Sequence, residues 1–92
     1  MAGIPPAEYR IQFAPSASKQ LGSLPRAIQR RIAMRIDQLA VDPRPRGSIK
    51  LEGKDDLYRI RVGQYRVVYT IQDEELIVLV LRVGHRRDVY RG

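Results

Sequence analysis

Arginine side chains occur in the C-terminal half of the sequence at spacings that would bring several of them onto one face of a β-sheet. Residues 57–62 alternate apolar and basic side chains, so Arg59 and Arg61 would share one face of a strand. The two-residue connection 63–64 begins with glycine and predicts a type II′ hairpin, which sets Arg61 opposite Arg66. Like charges directly opposite one another destabilise a sheet, whereas a guanidinium fork matches phosphate oxygens two at a time. We interpret this face as an anion-binding site; the alternative is a set of solvated edge charges that prevent sheet association.

The end of the sequence adds two side chains that could transfer a proton. His85 is the single histidine, it stands beside Arg86 and Arg87, and Tyr90 follows it by five residues. Free histidine has a pKa of about 6.5 and can accept or donate a proton near neutrality. A tyrosine ionises more readily when positive charge surrounds it. Both are candidate acid–base groups; the alternatives are a structural histidine and a tyrosine that only covers the core.

Composition argues against several other kinds of active site. The sequence has no cysteine and one histidine, so it offers no credible zinc site. Glycine-rich phosphate loops and a Ser-His-Asp signature are absent. Five acidic residues fall in expected turns without the convergence that a magnesium-dependent nuclease needs. These residues are Asp55, Asp56, Asp73, Glu74 and Glu75. We expect no metal and no other cofactor.

Length and charge set the class of protein. The sequence of 92 residues is expected to form a single domain, residues 1–92. Seventeen Lys and Arg against ten Asp and Glu give a net charge of +7, which favours nucleic acid or an acidic protein as partner. The longest apolar run, residues 76–81, is far shorter than the roughly 20 residues of a membrane helix. Residues 1–6 do not resemble a signal peptide, so we expect no membrane association and a cytoplasmic location.

Hydrophobic periodicity predicts an α+β fold. Residues 8–13 alternate as a first strand, and Pro15 suits the start of a helix. Gly22 and Pro25 divide the helical region into a short helix and a longer one, which residues 42–47 end. The apolar side of the longer helix carries Ile28, Ile32, Ile36, Leu39 and Ala40. Strands are then predicted near 49–51 and over 57–62, 65–71 and 76–83. The predicted fold is a short N-terminal strand and two helices packed on an antiparallel sheet of three to four further strands.

Three segments of the sequence resemble the RelE/ParE superfamily of bacterial and archaeal toxins. They are residues 50–53, 57–69 and 83–90, and the order of the elements extends the likeness to the whole chain. The resemblance implies the RelE-like microbial ribonuclease fold. RelE members cleave mRNA, generally in the ribosomal decoding site. ParE members have a similar fold, are associated with DNA gyrase, and commonly lack the ribonuclease residues.

The resemblance also assigns roles by position. The RelE-like catalytic set falls on Arg59, Arg61, Arg66, Arg86 and Tyr90. We add His85 to this set, and we expect RNA contacts from Lys50, Lys54 and Arg87. The best-known members have lysine at the positions of Arg59 and Arg61, and arginine cannot act as a base. Proton transfer therefore passes to Tyr90 or His85, and the resemblance favours Tyr90.

The implied function is that of a toxin of a type II toxin–antitoxin system that inhibits translation. It would be a metal-independent, ribosome-dependent endoribonuclease (an mRNA interferase) that cleaves by attack of the RNA 2′-hydroxyl. Its partners would be a cognate antitoxin and mRNA in the ribosomal A site. Two alternatives stay open: a ParE-like inhibitor of DNA gyrase, and a non-catalytic remnant that binds an antitoxin.

Overall fold

The computed structural model describes residues 8–51, 53 and 56–85. Its elements in chain order are β1 (Arg10–Phe13), α1 (Pro15–Gly22), α2 (Arg26–Gln38), β2 (Ile49–Lys50), β3 (Leu57–Val62), β4 (Tyr65–Gln72) and β5 (Ile77–His85). Within this part of the chain the strands form one sheet in the order β1-β5-β4-β3-β2. β1 runs parallel to β5, and the other neighbours are antiparallel. The predicted α+β fold is confirmed, and β1 joins the edge of the same sheet.

The two helices begin and end close to the positions that the sequence predicts. Pro15 opens α1, where its missing N–H is not needed for a helical hydrogen bond. The Ser23 N–H donates to the carbonyl of Lys19 at 3.1 Å and closes the joint before α2. Ile32 and Ile36 of α2 are fully buried, as the amphipathic pattern predicts.

The hydrophobic core lies between these helices and one face of the sheet. Alternate residues of each long strand point into it, including Ile60, Val67, Tyr69 and Val80. Tyr69 is fully buried, and its hydroxyl donates to the carbonyl of Pro43 at 2.8 Å. The loop after α2 is therefore held against the core. The strand residues between these core positions point to the opposite face of the sheet.

Several strand boundaries differ from the predicted ones, each by one or two residues. The first strand begins at Arg10 and not at residue 8, because the Tyr9 N–H donates to the Ala40 carbonyl in the loop after α2. Leu76 lies in the turn before β5 with a φ of 56°, and its N–H donates to the Asp73 carbonyl at 3.3 Å. The predicted strand from residue 76 therefore starts at Ile77, and it continues to residue 85.

A polar cluster ties the loop after α2 to the turn between β4 and β5. An ion pair of 2.8 Å joins the Arg44 guanidinium to the Asp73 carboxylate, which also accepts a hydrogen bond from the Tyr9 hydroxyl at 2.6 Å. These two donors lower the pKa of Asp73, Arg44 more strongly than Tyr9. The guanidinium also lies over the Tyr58 ring, 5.3 Å from its centroid. This cluster stands at the end of β4 remote from the turn at residues 63–64.

Candidate functional site

The register of β3 and β4 places three arginines on the face of the sheet that the helices do not cover. Arg61 lies directly opposite Arg66, and Arg59 lies opposite Val68. The alternate residues of β3, Ile60 among them, pack in the core on the other face. The cross-strand pair of like charges that the sequence predicts is confirmed. We call this side of the sheet, which carries Arg59, Arg61 and Arg66, the arginine face.

Two of these three side chains are more enclosed than the sequence predicts. Arg59 is 7% exposed and Arg66 is 5% exposed, whereas Arg61 is exposed to solvent. Burial lowers the pKa of Arg59, and repulsion from Arg61 lowers it further. Because the ordinary pKa of arginine lies far above neutrality, the guanidinium still carries its charge. Cations held in a water-poor setting act on an approaching anion more strongly than solvated ones.

β5 adds a second feature to this face, which is an irregularity in its pairing with β4. Tyr69 pairs with Val80, but the preceding residue of β4, Val68, pairs with Arg82 and not with Leu81. One extra residue, Leu81, is thus inserted into β5. After this bulge Arg82 and Gly84 lie on the arginine face, and Gly84 stands opposite Arg66 without a side chain. Sequence reasoning missed Arg82, because the apolar run before it carries no sign of a change in alternation.

His85 lies on the other face of the sheet. It pairs with Tyr65, which packs against the core, and it shares that side with Val83. The imidazole Nε2 is 3.3 Å from Gln64 Oε1, and the ring meets Tyr65 edge-on with centroids 5.7 Å apart. A cavity of about 350 Å³ lies beside it, between α1 and the end of β5. The structure brings Arg59, Arg61 and Arg66 together and does not bring His85 to them.

The other predicted site residues divide into one that is described and four that are not. Lys50 is exposed on β2 and pairs with Tyr58, so it stands on the core side of the sheet edge and not on the arginine face. The remaining four predictions lie outside the described residues. They are Lys54, Arg86, Arg87 and Tyr90.

The described part of the chain contains neither a metal-binding cluster nor a membrane-spanning helix. Among residues 8–51, 53 and 56–85, no three His, Asp or Glu side chains come together in a way that could hold a metal ion. Neither of the described helices is long and apolar enough to cross a membrane.

Known proteins are similar to this chain in sequence and in fold. The family model of the ParE toxin of type II toxin–antitoxin systems matches residues 11–90. A RelE-like toxin protein of Escherichia coli is 37% identical over 86 residues, which are 89% of this chain and 90% of that protein. The mRNA interferase toxin RelE of Escherichia coli is 30% identical over 80 residues, 85% of this chain and 83% of that protein.

A solved structure agrees with these relatives. A chain in the crystal structure of the archaeal RelE–RelB complex from Pyrococcus horikoshii matches with a TM-score of 0.76 and 38% identity. The match covers 86% of this chain and 96% of that one. The chain belongs to the RelE/ParE superfamily, and it is a RelE-like toxin of a toxin–antitoxin system.

Proposed function

We propose that this toxin is an endoribonuclease that cleaves mRNA on the ribosome. The arginine face carries the proposal: Arg61 and Arg66 are held opposite each other, and Arg59 and Arg66 are almost enclosed. Like charges so placed cost stability in the empty protein. An anion between these side chains offsets the repulsion, so the arrangement favours the binding of a phosphate. The similarity to a relative named mRNA interferase supports mRNA as the source of that phosphate.

The arrangement suits cleavage by the neighbouring hydroxyl of the RNA itself. The 2′-oxygen attacks the adjacent phosphorus and forms a new O–P bond, while the bond from phosphorus to the 5′-oxygen breaks. A base takes the 2′-hydroxyl proton, and an acid gives a proton to the departing 5′-oxygen. The products are a 2′,3′-cyclic phosphate and a 5′-hydroxyl. Negative charge gathers on the phosphate oxygens in the transition state, where fixed guanidiniums lower its energy.

Tyr90 is the leading candidate for the base. Arginine stays protonated in the working range, so the arginine face stabilises charge but does not accept the proton. The placement of His85 across the sheet, against Gln64 and Tyr65, weakens its claim as the base. His85→Gln and Tyr90→Phe separate the two assignments when single-turnover cleavage is followed across pH. We expect Tyr90→Phe to lose activity and His85→Gln to keep the wild-type pH profile; the reverse result transfers the role to His85.

An acidic antitoxin is the proposed protein partner. The solved structures that match this fold include a RelE–RelB toxin–antitoxin complex from Pyrococcus horikoshii. A net charge of +7 should steer an acidic chain toward this toxin and make association fast at low salt. An association rate that does not change between low and high salt would contradict this electrostatic part.

Expression without an antitoxin tests the proposed function directly. The wild type should arrest bacterial growth and create new mRNA ends inside translated regions. Arg66→Gln and Arg86→Ala should each lose most of this effect, since one preorganised donor contributes on the order of 10²–10³ in rate. Arg59→Lys should retain activity, because the resemblance places lysine there. Arg30→Gln, an exposed change on α2 with the same loss of charge, is the matched control.

Inhibition of DNA gyrase is the second candidate, because the family model that matches residues 11–90 is that of the ParE toxin. The two functions differ in a simple pair of assays with purified toxin. Intact message together with blocked plasmid supercoiling identifies a gyrase inhibitor. Cleaved message with normal supercoiling identifies the ribonuclease that we propose.

A further inference from the structure

We propose that Arg82 is a further phosphate-binding arginine of this site, beside the three of the arginine face, and that it contacts the RNA strand on the β5 side of that face. This inference rests on the proposed function, because it takes RNA to be the anion. Arg82 pairs with Val68 of β4, and Val68 pairs with Arg59 of β3. The three residues form one row across three strands, with the arginines about 10 Å apart at the two ends. Val68 forms a buried apolar floor between them.

The bulge in β5 is what gives Arg82 this direction. Val80 is fully buried in the core, so strict alternation would turn residue 82 toward the core as well. A charged side chain there would be costly to bury. The inserted Leu81 reverses the alternation, so Arg82 faces the arginine side and Val83 takes the core position. Bulges that re-aim a side chain are common beside active sites.

A helix fixes the chain in this reversed arrangement. β1 accompanies β5 only as far as the pair of Phe13 with Val80. Beyond it, the Val83 N–H donates to the side-chain oxygen of Gln20 on α1 at 2.8 Å. Val83 itself is 2% exposed. The residue after Arg82 is thus held by a hydrogen bond and by packing, and Arg82 keeps its direction without a bound ligand.

Gly84 completes the surface. It lies opposite Arg66 in the next row of the sheet, and glycine places no side chain between Arg66 and the β5 edge. Arg61, Arg66 and Gly84 therefore form a second row beside the first. A nucleic-acid backbone that crosses both rows would meet arginines from three strands. Arg61 lies on β3 and Arg82 lies on β5, which are the two strands on either side of β4. We therefore assign Arg82 to binding of a neighbouring phosphate and not to the bond that breaks.

Salt dependence of RNA binding tests the assignment without any cleavage step. The probe is a short single-stranded RNA with 2′-O-methyl groups, which cannot attack its own phosphates. Each phosphate contact to a single strand contributes about 0.7 to the slope of log K against log salt. Arg82→Gln should lower the slope by about 0.7, and Arg82→Lys should restore it. Arg30→Gln on α2 removes the same charge and should keep the wild-type slope.

Two further measurements separate the possible failures. Thermal unfolding establishes that each variant folds, and Arg82→Thr supplies a second neutral side chain that suits a strand. A wild-type slope in folded neutral variants overturns the Arg82 contact, even if the wild-type toxin cleaves message. A reduced slope in a toxin that never cleaves message supports the contact and overturns the proposed ribonuclease function instead.

Discussion

Replacement of Arg61 by glutamine should stabilise the protein and inactivate it at the same time. Arg61 is exposed, lies opposite Arg66, and its charge also disfavours the charged form of Arg59. Cross-strand side-chain pairs change stability by roughly 0.2–1 kcal/mol, and like charges directly opposite each other are destabilising, so we expect removal of this repulsion to give a gain of that order. For a domain of this size, that gain corresponds to an increase in Tm of roughly 1–8 °C. Loss of one preorganised donor should lower the cleavage rate by about 10²–10³.

Salt separates this repulsion from any other source of stability. The Debye length falls from about 10 Å at 0.1 M salt to about 3 Å at 1 M, so the exposed charge of Arg61 should be largely screened. We expect Tm of Arg61→Gln to exceed that of wild type at low salt and to approach it at 1 M. Arg30→Gln should show no such gain. A lower Tm for Arg61→Gln than for Arg30→Gln at low salt would refute the repulsion.

Three other substitutions test the scaffold. Arg44 lowers the pKa of Asp73 below its ordinary 3.8, so the pair stabilises the fold above that pH and is lost as pH falls through the lowered pKa. Asp73→Asn should therefore lower Tm at pH 7 and approach wild type in acid; an equal deficit at both pH values would contradict the ion pair. Tyr69→Phe removes the hydrogen bond to Pro43 and should cost about 1 kcal/mol in denaturant unfolding. Burial raises the pKa of Tyr69 to about 12, so the same loss is expected at pH 6 and pH 9. Gly63→Ala should cost about 1 kcal/mol, because residue 63 has a φ of 60°; thermal unfolding that matches wild type would show that the turn can adapt.

The alternation of side chains between the two faces of a strand made much of the arginine face predictable from the sequence. The pattern over β3 assigns Ile60 to the core and Arg61 to the opposite face, and the structure agrees. Gly63 at the start of a two-residue turn fixes the register, so the pairing of Arg61 with Arg66 follows from the sequence. Both predictions depend on neighbours within a few residues, which is the range over which such patterns are informative.

The environment of the same side chains was not predictable in this way. Burial of Arg59 and Arg66 depends on the tertiary surroundings of each side chain, and alternation carries no information about these surroundings. The direction of Arg82 depends on one inserted residue, Leu81. This residue belongs to a run of apolar side chains on both faces of the strand, so the sequence shows no change of alternation there. His85 follows the same reversal onto the core side, so its nearness to arginines in sequence did not place it beside them.

The chemical nature of the RNA ends tests the central claim most directly. Purified toxin should be mixed with programmed ribosomes in a single turnover, and the new 3′ and 5′ ends of the message should then be identified. We predict 2′,3′-cyclic phosphate and 5′-hydroxyl ends for the wild type, formed at about 10²–10³ lower rate by Arg66→Gln. Intact message, or ends formed equally fast by Arg66→Gln, would contradict a ribonuclease that works through the arginine face.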